Sequence, residues 1–208
     1  TEGLARIRWE YITLHEKARR LQGLVMPRHD RFHTVTPAAL GSYGNLSAWS
    51  GVDNDNDGLW TGMYVAAQAW RYAASTTSRG SDDEQEASQA RAEAWRGYLG
   101  LEFLHNVTGV PGWMGRSGVR WGTKHGPGDE PLTGWTNSSK CFAGIDKVGS
   151  ACCWTWKTDA SSDEVVGHMT GLAHLYTHVA ETAGEKRRVG RLLCQMMAYI
   201  VDHGFVLI

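Results

Sequence analysis

The sequence predicts a mostly α protein built of αα-hairpins joined by long loops. Apolar residues recur at intervals of three and four in five segments, and the connections between those segments alternate between very short and very long.

The first segment, residues 2–22, sets Leu4, Ile7, Tyr11, Leu14, Ala18 and Leu21 on one helical face. A second helix is expected over 58–74, starting at Gly58. A third is expected over 82–106, where Ser81 and Glu84 form a capping box and Gly109 closes the far end. Ser161 and Glu164 repeat that box at the start of a fourth helix, 162–183, with Gly184 as its stop. The fifth runs over 185–203, and the apolar GFVLI that follows suits a strand; little other strand is expected.

Helices two and three meet within a few residues of Gly80, and helices four and five meet at Gly184. Residues 23–57 and 109–160 are instead long, rich in Gly and Trp, and without helical period. Each precedes one helix of a hairpin, so if helices two and four run parallel, both loops fall at one end. Inner helices whose N-termini face a loop-built cleft, backed by outer helices, are the plan of an α/α toroid. The chain reads as one such domain over 1–208, a partial toroid or a fragment of one.

Charge excludes some partners. The chain carries 21 Lys plus Arg against 22 Asp plus Glu, so no net field draws it to nucleic acid or an anionic membrane. No apolar run reaches transmembrane length, and TEGLARIRWEY lacks the layout of a signal peptide, so an exported chain is expected in mature or trimmed form. Asn45, Asn106 and Asn137 each begin an N-glycosylation acceptor pattern. Cys141, Cys152, Cys153 and Cys194 permit up to two disulfides of unknown pairing, with Cys141 expected to join Cys152 or Cys153. Together these point to a secreted, extracellular glycoprotein. The 10 tryptophans, many in the loops, either plug those loops onto the core or offer stacking surfaces to sugars.

Four strings, MPRHDRF, GNLSAWSGVDNDNDGLWTGMYVAAQAWRYA, NVTGVPGWMGRS and WKTDASSDEVVGHMTGLAHLY, occur in an order that resembles uncharacterised extracellular proteins similar to six-hairpin glycosidases. The likeness spans nearly the whole chain. It implies an α/α toroid acting on or binding a polysaccharide, with other chains as candidates to complete the ring.

The acidic string DNDNDG puts Asp53, Asp55 and Asp57 where an EF-hand would, but the twelfth position is Tyr64 and a helix occupies the second half of that loop. No cofactor or metal is expected, with calcium on other loop oxygens left open. Capping explains Asp57, and the box and helix dipole explain Glu164 and Asp163. Topology adds a second reading, since glycoside hydrolysis needs an acid and a base or nucleophile facing across a cleft. Asp57 with Glu164, or with Asp163, is the leading pair. His29 and His168 join the catalytic candidates as bases. Asp53, Asp55, Trp60, Arg116 and Trp121 are the substrate-binding candidates, Arg116 by bidentate contact with a uronic acid. His29 with Tyr43 or Tyr64 would support β-elimination instead of hydrolysis. His174 and His178, at i and i+4, read as packing or surface residues. The rival reading is a non-catalytic structural or adhesion glycoprotein. It would bury the acidic groups in caps and ion pairs and spend its tryptophans on packing.

Overall fold

The computed structural model describes residues 9–77, 81–120, 134–141 and 153–206. It is mostly helical. In chain order come α1 (Leu14–His29), β1 (Asp30–Arg31), β2 (Thr34–Val35), β3 (Ala38–Leu40), β4 (Trp49–Gly51), α2 (Asp57–Thr77) and α3 (Ser81–Asn106). There follow β5 (Gly118–Arg120), β6 (Trp135–Cys141), β7 (Cys153–Lys157), α4 (Ser162–His174), a π-helical turn over Leu175–Val179, and α5 (Ala183–Asp202).

The helical core matches expectation at α2, α3 and the start of α4. The two middle helices form an antiparallel hairpin: near its open end Gly97 packs on Val65, and near its turn Arg71 pairs with Glu86. At the far end Gly109, at φ 73°, takes the left-handed conformation a helix stop favours. Helices α2 and α4 run in the same direction. A Cβ on Gly58 would meet Glu164 and His168, one on Gly62 would run into the Gly167 carbonyl, and one on Gly171 would meet Gly62. The paired glycines, each pair four residues apart, bring the two backbones into contact. Both long loops therefore lead into the same end of the molecule.

Two buried clusters hold the layers. Val65, Ala69, Tyr98, Leu101, Leu172, Leu175, Val189 and Met196 join α2, α3, α4 and α5. Phe103 and Leu104 of α3 and Val107 just beyond its end pack with Trp113, Trp154 and Trp156 of the second loop. Those three tryptophans anchor loop to core, so for them the packing role holds. At 25 cal/mol per Å², a side chain this large contributes roughly 3 kcal/mol when fully buried.

Several expectations are corrected. The first helix begins at Leu14, where Thr13 accepts a hydrogen bond from the Glu16 N–H, and residues 9–13 are not helical. It contains no buried residue, so the apolar period of 2–22 had no core to fix it, and residues 1–8 lie outside the described set. The fourth helix widens into the π turn and breaks at Ala180; Thr182 and Glu185 then form a full capping box that starts α5, with Gly184 inside it as no stop. Residues 203–206 form a turn rather than a strand, with Phe205 at φ 65°. The long loops carry small antiparallel sheets: β1 with β2, β3 with β4, and β5-β7-β6. The ladder sets the backbone of Cys141 opposite that of Cys153, while Cys194 is a free, exposed thiol on α5; the side chains of Cys141 and Cys153, on which the expected pairing falls, lie outside the described residues. Cys152, Trp121 and the side chain of Ser81 lie outside the described residues.

Candidate functional site

The acidic groups of the two helix starts converge, as topology required, but not as caps of their own helices. The first backbone bond of α2 runs from the Trp60 N–H to the Asn56 carbonyl. The Leu59 N–H, one of the donors a helix start leaves free, donates to Glu164 Oε2 of α4 at 3.1 Å. Ser161, the expected partner of Glu164 in a box, makes no capping bond. One helix therefore supplies the cap of its neighbour.

Asp57 points the other way. Its Oδ2 accepts from the Ser117 hydroxyl at 2.5 Å, from Arg31 Nη2 at 3.2 Å and from the Asn54 N–H at 3.3 Å. A capping bond from the Leu59 or Trp60 N–H to Asp57 is not made, because Glu164 takes the first donor and the Asn56 carbonyl the second. Asp57, Glu164 and His168 are all 0 % exposed. Asp57 Oδ1, Glu164 Oε1 and both ring nitrogens of His168 and His105 have no hydrogen-bond partner among the described residues. The His168 Nε2 lies 3.9 Å from Glu164 Oε2, and the His105 ring meets the His168 ring edge to face at 5.0 Å.

Burial dominates the proton affinities here. It raises the Asp57 carboxyl to about 7 against the opposing pull of Ser117 and Arg31. It raises Glu164 to about 8 despite the Leu59 N–H and the positive charge of Arg116, with Asp57 and Asp163 adding to the rise. The same desolvation lowers His105 to about 4 and His168 well below the usual imidazole range, each cation being the form that burial penalises.

Other candidates stand at the rim. The Arg116 guanidinium donates to the Asp55 and Asp159 carbonyls at 2.6 and 3.2 Å and to Asn56 Oδ1 at 3.3 Å. It clamps the two loops together, which sequence spacing did not reveal. Asp53 pairs with Arg31 at 3.5 Å, Asp55 with Lys157, and Asp163 accepts from the Ser161 hydroxyl. Asp163 is exposed, and the first turn of α2 leaves Trp60 46 % exposed. Asp53 and Asp57 thus share Arg31 while Asp55 turns to Lys157, and among the described residues no three His, Cys, Asp or Glu form a group suited to a metal.

The elimination set is not brought together. The His29 Nδ1 lies 2.8 Å from the Thr36 carbonyl, so Nδ1 carries the proton there, and the ring closes the end of α1. Tyr43 is fully exposed on the β3–β4 hairpin, and Tyr64 exchanges hydrogen bonds with Gln22 and Glu93. His174 and His178 flank the exposed ring of Trp70.

Arg31, Ser117, His105 and Gly58 were missed as members of the cluster. Arg31 and Ser117 stood inside two of the quoted strings, MPRHDRF and NVTGVPGWMGRS; nothing in the spacing of His105 marked it. Comparison of the chain with protein-family models, curated proteins and solved structures finds no match.

Proposed function

We propose that the protein is a secreted, α/α-toroid-type protein that binds a carbohydrate polymer at the end where α2 and α4 begin. One observation carries this reading: Arg116 draws both long loops together at that end, and exposed Trp60, Asp55 and Asp163 belong to the same two loop–helix junctions. An indole face suits the apolar face of a sugar ring, and carboxylates accept from its hydroxyls. Binding is favoured ahead of hydrolysis. A general acid and its partner must touch the glycosidic oxygen or its attacking water, whereas Asp57 and Glu164 are closed from solvent and committed to Ser117, Arg31 and Leu59.

The structural or adhesion reading keeps a specific support of its own. Glu164 serves as a cap, Asp57 as an ion-pair partner, and Trp113, Trp154 and Trp156 as packing, as a scaffold would use them.

Affinity electrophoresis against soluble neutral and uronic polysaccharides separates the two. Retardation that disappears in Trp60→Ala and Asp163→Ala, with unchanged melting temperature, supports the binding end. A chain that migrates identically in every polymer leaves the scaffold reading in its place. Release of reducing ends would restore catalysis and require the buried carboxyls to open.

A further inference from the structure

Three acceptor patterns for N-linked glycan occur in the chain, and the fold treats them differently. Asn106 ends α3, and the hydroxyl of its partner Thr108 is engaged with the carbonyls of His105, Val110 and Trp113 at 2.9, 3.2 and 3.2 Å. Asn137 lies within β6, paired with Thr155 of β7, and its Oδ1 accepts from the Thr155 hydroxyl at 2.9 Å. Presenting either pattern to an enzyme means pulling a hydroxyl from the core edge or a strand from its sheet.

Asn45 is placed otherwise. It sits at the tip of the β3–β4 hairpin, where every residue from 41 to 51 is exposed. Its N–H donates to the Ser42 carbonyl at 3.1 Å, and its Oδ1 accepts from the Ser47 N–H at 3.0 Å. The second bond folds the acceptor and its hydroxyl residue into one local turn, with the amide nitrogen left over as the group not used by that bond. Below the tip, Gly41 and Ala48 close the hairpin, and Arg28 holds the Leu46 carbonyl at 3.1 Å.

We infer that Asn45 is the N-glycan acceptor of the folded chain, presented by a preformed turn, while Asn106 and Asn137 accept glycan only before the chain folds. The donor is a lipid-linked oligosaccharide pyrophosphate. In the transfer the Asn45 Nδ2 forms a bond to the sugar's anomeric carbon and gives up one proton, and the bond from that carbon to the pyrophosphate oxygen breaks, releasing the lipid pyrophosphate. This inference rests on the secretory part of the proposed function, since only that route exposes the chain to such a donor.

The test uses the purified, folded full chain with a soluble oligosaccharyltransferase and a lipid-linked oligosaccharide. Synthetic peptides spanning each acceptor run in parallel, and intact mass and peptide mapping read the products. The expected result is one glycan on the folded chain, at Asn45, lost in Asn45→Gln and Ser47→Ala and kept in Ser47→Thr. A folded chain that stays bare, whether or not its Asn45 peptide reacts, overturns the inference, as does preferential modification at Asn106 or Asn137. Secretion from a eukaryotic host is scored separately. A chain retained in the cytosol yet glycosylated at Asn45 in the purified reaction removes the secretory reading and leaves the acceptor geometry standing.

Discussion

Helices α1 and α2 both carry an apolar period, yet they sit in the molecule in opposite ways. Helix α2 buries Asp57, Gly58, Thr61, Gly62, Tyr64, Val65, Ala66, Gln68 and Ala69, and its glycines touch the backbone of α4. Helix α1 buries nothing and is held by polar contacts: Gln22 to Tyr64 at 2.7 Å, Gln68 to Gln22 at 2.7 Å, and Arg19 to Glu86 at 3.8 Å. Between α1 and the α2–α3 hairpin remains a cleft of about 570 Å³ lined by Arg19, Gln22, Met26, Arg71, Glu86 and Glu93. Periodicity shows that a helix has a face; it does not show that the face has a partner.

The sharpest way to break this contrast is to make the same substitution in both helices. Gly62→Ala drives a methyl into the Gly167 carbonyl, backbone against backbone, so the helices must part. We expect a loss on the order of 3 kcal/mol, seen as a lower urea midpoint. Survival of Gly62→Ala at full stability would mean that α2 and α4 are not in contact as described.

Next in size is the response to pH. Asp57 and Glu164 have folded pKa values of about 7 and about 8, above their ordinary values, so their contribution is full below the unfolded pKa and is lost as pH rises through 7 and 8. His105, lowered to about 4, and His168, lowered further, act in reverse: their contribution is present above the unfolded imidazole value and is lost as pH falls. From the unfolded carboxylate range to the unfolded imidazole range the two slopes oppose. Above that only the carboxyls act, so melting temperature should decline steadily from mildly acidic pH toward pH 8. A flat profile there would show that the pair is solvated.

A smaller, more selective effect separates the two carboxyls. Glu164→Gln keeps an oxygen for the Leu59 N–H and removes the ionising group, so it should be near neutral in mild acid and stabilising in mild alkali. Asp57→Asn faces Arg31 and the Ser117 hydroxyl and loses a charge-assisted bond, costing about 2 kcal/mol at neutral pH. Were Asp57 a plain helix cap, asparagine and aspartate would serve there equally. Thermal melts of both variants at two pH values check the assignment.

The smallest expected change has the opposite sign to the first. A Cβ on Gly23 of α1 meets nothing within 4 Å, so Gly23→Ala should stabilise by about 0.5 to 1 kcal/mol through helix propensity alone.

The legibility of the chain follows the same division. The starts of α2 and α4 carried their own signals in DNDG and SSDE, and their meeting followed from the alternation of short and long connections. Which carboxylate capped which helix was not legible, because a local S-x-x-E spacing looks identical whether Glu164 turns back on Ser161 or across to Leu59. The choice is made by Gly58, Gly62, Gly167 and Gly171, whose missing side chains let Glu164 reach the neighbouring helix. The first helix moved from 2–22 to Leu14–His29 because Thr13 supplies a cap while the apolar face supplies no burial to fix the register. The π turn after His174 had no sequence mark at all.

The cap that Glu164 provides to Leu59 spans 105 positions of chain, and that separation bears on the order in which the protein assembles. The α2–α3 hairpin can close early from local contacts, but the first turn of α2 stays incomplete until α4 has arrived. Formation of that bond therefore belongs late on the folding path. Removing the Glu164 oxygen should accelerate unfolding while leaving the refolding rate nearly unchanged, whereas trimming Val65 under Gly97 should slow refolding. A nascent chain that stalls before α4 would present a helical hairpin with one frayed, unclosed end.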